Sequence, residues 1–187
     1  MSADTSSAPA PTAQEPAAGT APAAYSPTQI VLHWVVAALV VFQIVFAEAM
    51  EELGEAAEYG ERIGAGEALL GNLHIWAGFA ILALTVWRLV LKATHGAPPE
   101  PKGTPATLFL MRATYALFYL LLIAVPLTGA AAWYLGIEAA GEVHELSKPA
   151  FIALIALHVA ATIWHGVVLK DRVMARMLPA RGRGQSA

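Results

Sequence analysis

Imidazole side chains set within apolar sequence are the feature of this chain most able to do chemistry. Residues 144 to 165 read HELSKPAFIALIALHVAATIWH, and His33 and His74 lie near the ends of two further apolar stretches. At about 100° per residue, the steps from His144 to His158 and from His158 to His165 are close to four and two whole turns, so the three rings share one helical face. A polar, ionisable group inside a membrane span is costly unless it is paired or lines an internal site. One such histidine is as readily a hydrogen-bonding group between helices. Three stretches carrying them favour ligands.

Those ligands need elements to hold them, and composition says which. The chain has 187 residues, 57% hydrophobic and 13% charged, with a net charge of −3. This is the membrane class, and the weak negative charge speaks against a general nucleic-acid binder. There is no cysteine. Disulfides, iron–sulfur clusters and covalently attached c-type haem are therefore excluded, and any haem must be held by histidine. Four apolar segments, 30–47, 73–91, 108–133 and 149–169, each have about the 17–25 residues a span needs. The fold expected is an all-α integral membrane four-helix bundle over residues 25–178. It is flanked by an Ala/Pro-rich disordered tail (1–24) without the basic start and apolar core of a secretory signal, and by a basic tail (179–187).

Charge orients the bundle. Glu48, Glu51, Glu52, Glu55, Glu58, Glu61 and Glu67 crowd the first connection, whereas Arg88, Lys92, Lys102 and Arg112 flank the second and Lys170, Arg172, Arg176, Arg181 and Arg183 follow the last span. The positive-inside rule puts both termini and the loop 92–107 in the cytoplasm, with the acidic segment and the connection 134–147 outside. Ser26 reads as the N-cap of the first helix with Pro27 at its first position, and Pro126 as a kink in the third span.

In that orientation His33 is near the inner end of span one and His74 near the outer end of span two. His144 is at the outer end of span four, with His158 and His165 progressively further in. Two neutral imidazoles facing each other across an interhelical gap are the axial ligands of a low-spin b-type haem. Ala37, Gly78 and Thr162, one turn on from histidines, would leave room for a flat macrocycle, as they would for close helix packing. His144 and His158 are about 21 Å apart along a helix and His158 and His165 about 10 Å. Two haems fit the wider interval better. Depth alone leaves His33 with either His158 or His165 as partner. Arg88 and Arg112 are candidate propionate anchors at the inner level and Lys148 at the outer, while Lys92 and Lys170 read as cations snorkelling to lipid phosphate. His95 falls in a polar loop.

Taken together, YSPTQIVLHW (25–34), LHIWAG (73–78) with WRL (87–89), ALFYLLLIAVPLTG (116–129), HE (144–145) and LHVAA (157–161) with His165 and Lys170–Asp171 resemble the bacterial cytochrome b561 family. These are di-haem four-helix proteins of the inner membrane, related to the cytochrome b subunits of hydrogenases and formate dehydrogenases. The resemblance spans residues 25 to about 179. It implies two haem b groups, the inner held by His33 and His158 and the outer by His74 and His144, with His165 beside a propionate or a quinone. It also implies electron exchange with ubiquinone near His165, Arg88 and Arg112. Some family members look like superoxide oxidases, passing electrons from superoxide to ubiquinone. Here the acidic outer segment favours a cationic periplasmic partner instead, and Arg112 and Tyr115 stand in span three where relatives often carry histidine. Two other expectations compete, a cytochrome b subunit of a larger respiratory dehydrogenase and a non-redox metal-ion transporter using the histidines as ligands.

Overall fold

The computed structural model describes residues 24–100, 103–170 and 174–178. The tails expected at 1–24 and 179–187 lie outside them, Ala24 apart. The chain is helical in the order α1 (Pro27–Val45), α2 (Glu48–Tyr59), α3 (Ala65–His95), α4 (Pro105–Leu135) and α5 (Glu138–Trp164), followed by a π-helical turn (His165–Leu169) and a 3-10 turn (Met174–Met177). Four helices, α1, α3, α4 and α5 with its π-helical extension, are long and apolar enough to cross a membrane.

Local sequence sets the helix ends. Ser26 and Gln29 form a capping box at the start of α1 with Pro27 at the first position, as the sequence predicts. α4 starts with a simple N-cap and a proline, Thr104 and Pro105, where the Thr104 hydroxyl accepts from the Thr107 amide. Gly60 and Gly136 close α2 and α4 in the left-handed region, where a side chain would be strained.

Two expectations change. The outer connection 134–147 shrinks to Gly136 and Ile137, because α5 begins at Glu138. Glu138, Glu142, Glu145 and Lys148 hide this stretch from an apolar window, yet they are good helix formers. Pro149 lies inside α5 and Pro126 inside α4. Each deprives one upstream carbonyl of its helical donor, but both helices run on. The acidic segment is also more than a loop. Its first part is helix α2, which lies against α3 at Gly71, where an added Cβ would stand 2.9 Å from the Ala49 carbonyl and 2.7 Å from the Leu53 side chain.

The bundle core is a short apolar layer of Val36 and Val40 from α1, Ile81 from α3, Leu122 from α4 and Phe151 from α5. Large apolar residues such as Val41, Leu120 and Ile152 face outward. That distribution suits lipid, in which helices associate by close packing rather than by burying apolar surface from water. At one end of the bundle, Gln29 Nε2 donates to the Gly96 carbonyl, Trp34 Nε1 to that of Met177 and Arg176 to that of Pro99. The start of α1, the α3–α4 connection and the C-terminal segment are thereby tied together.

Candidate cofactor site

Helix geometry brings four of the six histidines together as two pairs. His74 of α3 faces His144 of α5 with ring centres 6.1 Å apart. His33 of α1 faces His158 of α5 at 6.4 Å. The choice left open at the inner level thus falls on His158 as the ring facing His33. Two imidazoles sharing one metal through nitrogens at about 2.0 Å each would have ring centres roughly 6 Å apart. Both separations suit such a bridge. Among the described residues no three His, Asp or Glu side chains converge as a bare metal ion would require. The imidazoles come in twos, a donor set that fits an iron already held by a macrocycle.

The pair expected at the outer level, His74 and His144, is built closely into the fold. His144 Nδ1 lies 2.9 Å from the Val125 carbonyl oxygen. Because the carbonyl only accepts, Nδ1 carries the proton and the Nε2 lone pair is left for a metal. Gly129, one turn on in α4, makes this possible, since an added Cβ would stand 2.8 Å from two atoms of the His144 ring. On the other side, Gln43 of α1 donates through Nε2 to the His74 carbonyl at 3.0 Å, and Gly78 gives its amide room, an added Cβ falling 3.4 Å from Nε2. Gln43 Oε1 and His74 Nδ1 are both buried without a hydrogen-bond partner. A cavity of about 760 Å³ opens here, lined among others by Gln43, His74, Gly78, Gly129, His144 and Lys148, with Glu51 and Glu55 of α2 at its edge. Its size is within the range of cofactor sites.

The pair expected at the inner level, His33 and His158, is held by rings and a cation. Trp34 meets His33 edge-on at 5.4 Å, and Phe118 meets His158 at 5.3 Å and 81°. An Arg88 guanidinium nitrogen is 3.3 Å from His33 Nδ1. Guanidinium only donates, so Nδ1 accepts in this geometry. Were Nε2 to hold a metal, the neutral ring would carry its proton on Nδ1 and Arg88 would need another acceptor.

The remaining candidates are distributed unevenly. Arg112 forks onto Glu100 at the surface, at 2.7 and 3.0 Å, with its side chain 66% exposed. This pairing holds the Glu100 carboxyl below its usual range. Lys148 is exposed at the outer cavity. His165 opens the π-helical turn, a distortion often met at functional positions. His95 is exposed beside Thr94 Oγ1. Thr162 bonds its own helix at Val159, and Ala37 is half-buried. Lys92 sits 5.5 Å from the centre of the Tyr119 ring and 6.0 Å from that of Tyr115, a cation–π contact. Burial, with Tyr115 and Tyr119 adding and Arg176 and Arg88 opposing, pushes the Tyr25 phenol above its ordinary pKa. Tyr25 thus stays a hydroxyl donor at neutral pH. Reading the sequence for histidines and cations missed Gln43, Phe118, Tyr25 and Tyr119, though it named Tyr115. Gln43 had a signal, since it is the amide side chain within the first apolar segment.

Residues 24–180 match the family described as prokaryotic cytochrome b561. Cytochrome b562 of Cereibacter sphaeroides is 35% identical over 158 residues, covering 84% of this chain and 96% of that protein. The probable superoxide oxidase CybB of Yersinia pestis is 28% identical over 179 residues, and cytochrome b561 homolog 1 of Escherichia coli K12 is 26% identical over 182; each alignment covers 84% of this chain and 97% and 98% of the relative. The chain belongs to the prokaryotic cytochrome b561 family. It is a multi-pass inner-membrane protein with that family's role in transmembrane electron transfer.

Proposed function

We propose that the chain moves single electrons across the inner membrane through two haem b groups, between ubiquinone at the level of His33 and His158 and a cationic redox partner outside. His33 and His158 would hold the inner haem and His74 and His144 the outer, with both termini in the cytoplasm. When bound, each haem supplies a one-electron iron couple whose two axial positions are filled, which suits electron transfer rather than oxygen activation. The observation that carries this reading is the two facing imidazole pairs, 6.1 and 6.4 Å between ring centres, on opposite sides of an apolar layer.

The chain's own residues favour electrons over protons as the cargo. Phe151 is seven residues from both His144 and His158, about 10 Å along the helix each way. It packs with Val36, Val40, Ile81 and Leu122, a cluster none of whose members can relay a proton. At the inner end, Tyr25, Tyr115, Tyr119, Lys92 and Arg88 offer the hydroxyl donors and cations that a quinone head group and haem propionates need, and His165 follows His158 by seven residues. Arg112, committed to Glu100, is the weaker candidate there. At the outer end, Lys148, which lines the cavity, would serve as the cation for a propionate, and the glutamates of α2 would give a cationic protein a surface to dock on.

Superoxide is the second electron donor to consider, since a relative of 28% identity is described as a probable superoxide oxidase. The glutamates beside the outer cavity would slow the approach of an anion. Rapid mixing of the purified, oxidised protein with superoxide or with a reduced basic c-type cytochrome, each with and without ubiquinone, tests the assignment. Fast, salt-sensitive haem reduction by the cytochrome, followed by ubiquinone-dependent reoxidation, is expected. Protein that binds no haem, or haem that neither donor nor ubiquinone oxidises or reduces, would overturn it.

A further inference from the structure

The outer imidazoles are not equally anchored. His144 has an acceptor for its Nδ1 proton in the Val125 carbonyl, while His74 Nδ1 is buried with none. A metal-bound histidine almost always donates its second ring N–H, and that bond fixes both the tautomer and the ring's orientation. A buried nitrogen left without a partner is the kind of gap that a structure closes in its working state.

A matching acceptor is carried by the residue that already bonds the His74 backbone. The Gln43 amide is oriented by its donation from Nε2 to the His74 carbonyl, which fixes Oε1 as the acceptor end, and Oε1 is buried and unpartnered too. Both residues line the same cavity. The orphans are complementary, one requiring a donor and the other an acceptor once His74 ligates through Nε2.

We propose that Gln43 is a positioning residue of the outer site, its Oε1 accepting the Nδ1–H of His74 so that the Nε2 lone pair is turned toward His144. Gln43 then grips His74 twice, by the backbone carbonyl and by the ring. α1 thereby contributes to both levels, through His33 at one and through Gln43 at the other. The acceptor also makes the imidazole a stronger donor to iron and stabilises the oxidised form.

The inference rests on the outer haem assigned above, and the experiment separates the two. Gln43→Met keeps the side chain's length and removes the amide, whereas Gln43→Glu keeps a strong acceptor and removes the Nε2 donor. In the full-length protein purified from membranes, haem content, redox titration of each haem and the low-temperature EPR signal of each ferric centre are measured. Gln43→Met is expected to raise the potential and shift the EPR signal of the outer haem alone, with outer-haem affinity down roughly tenfold or more. Gln43→Glu is expected to retain the outer haem at a potential no higher than that of the unsubstituted protein. Loss of the outer haem in Gln43→Met with retention in Gln43→Glu also supports the acceptor role. Unchanged potential and EPR signal in Gln43→Met, or loss of the outer haem from both variants, would sink it, the latter marking Gln43 as a packing contact between helices. Absence of haem from the unsubstituted protein would instead overturn the proposed function.

Discussion

The two histidine pairs have the same side chains and nearly the same spacing, yet they are held in different ways. At the outer level the backbone does the holding. The Val125 carbonyl fixes the His144 tautomer, and Gly129 lets the ring lie against α4. At the inner level side chains do it, with Trp34 and Phe118 against the rings and Arg88 within 3.3 Å of His33. A backbone acceptor is neutral and cannot move away. A guanidinium is charged and mobile, so the inner site can be tuned electrostatically while the outer is set by geometry. The difference teaches that two facing pairs of the same residue type can be anchored by different means, one by backbone and one by side chains.

Breaking both levels at once should have the largest effect. His74→Ala combined with His158→Ala is expected to abolish the reduced-minus-oxidised b-type spectrum, since one ligand of each pair is gone; full pigment in that variant would refute both assignments. A more selective break is Gly129→Val. A branched side chain where even a Cβ meets the His144 ring at 2.8 Å should displace that ring and leave one haem per chain, the inner one, by pyridine haemochrome assay. Two haems with unaltered potentials would show that the closeness of α4 to His144 is unimportant.

Sharpening the inner side calls for Arg88→Leu. Removing a cation next to His33 favours the ferric form, so the inner potential should fall by on the order of 60 mV, one tenfold step in a one-electron equilibrium, while the outer changes much less. A shift confined to the outer haem would reverse the two assignments. The smallest effect is expected away from both sites, in Glu100→Gln. Arg112 holds the Glu100 carboxyl below its usual range. The ion pair therefore contributes above the unfolded carboxylate pKa, and its contribution fades as pH falls through the lowered native value. Thermal melts should show a slight loss of stability at pH 7 that vanishes in high salt and at strongly acid pH, with haem content and both potentials unaltered.

Period and composition alone decided much of this protein. Runs of apolar residues with few charges gave four spans, and the 14-residue interval between His144 and His158 put both rings on one helical face at two depths, because helical pitch is fixed by the backbone. Ser26, Pro27 and Gln29 likewise spelled out the start of α1. The stretch 138–148 misled an apolar window, since glutamates and a lysine can extend a helix beyond its apolar part. What only the tertiary structure decided is which groups from different helices meet. His158 rather than His165 facing His33, Arg112 drawn away by Glu100, the Val125 carbonyl under His144 and the two unpartnered atoms of Gln43 and His74 all depend on how helices are rotated and spaced against one another. That rotation follows from packing at positions such as Gly71, Gly78 and Gly129, and no single helix's sequence contains it.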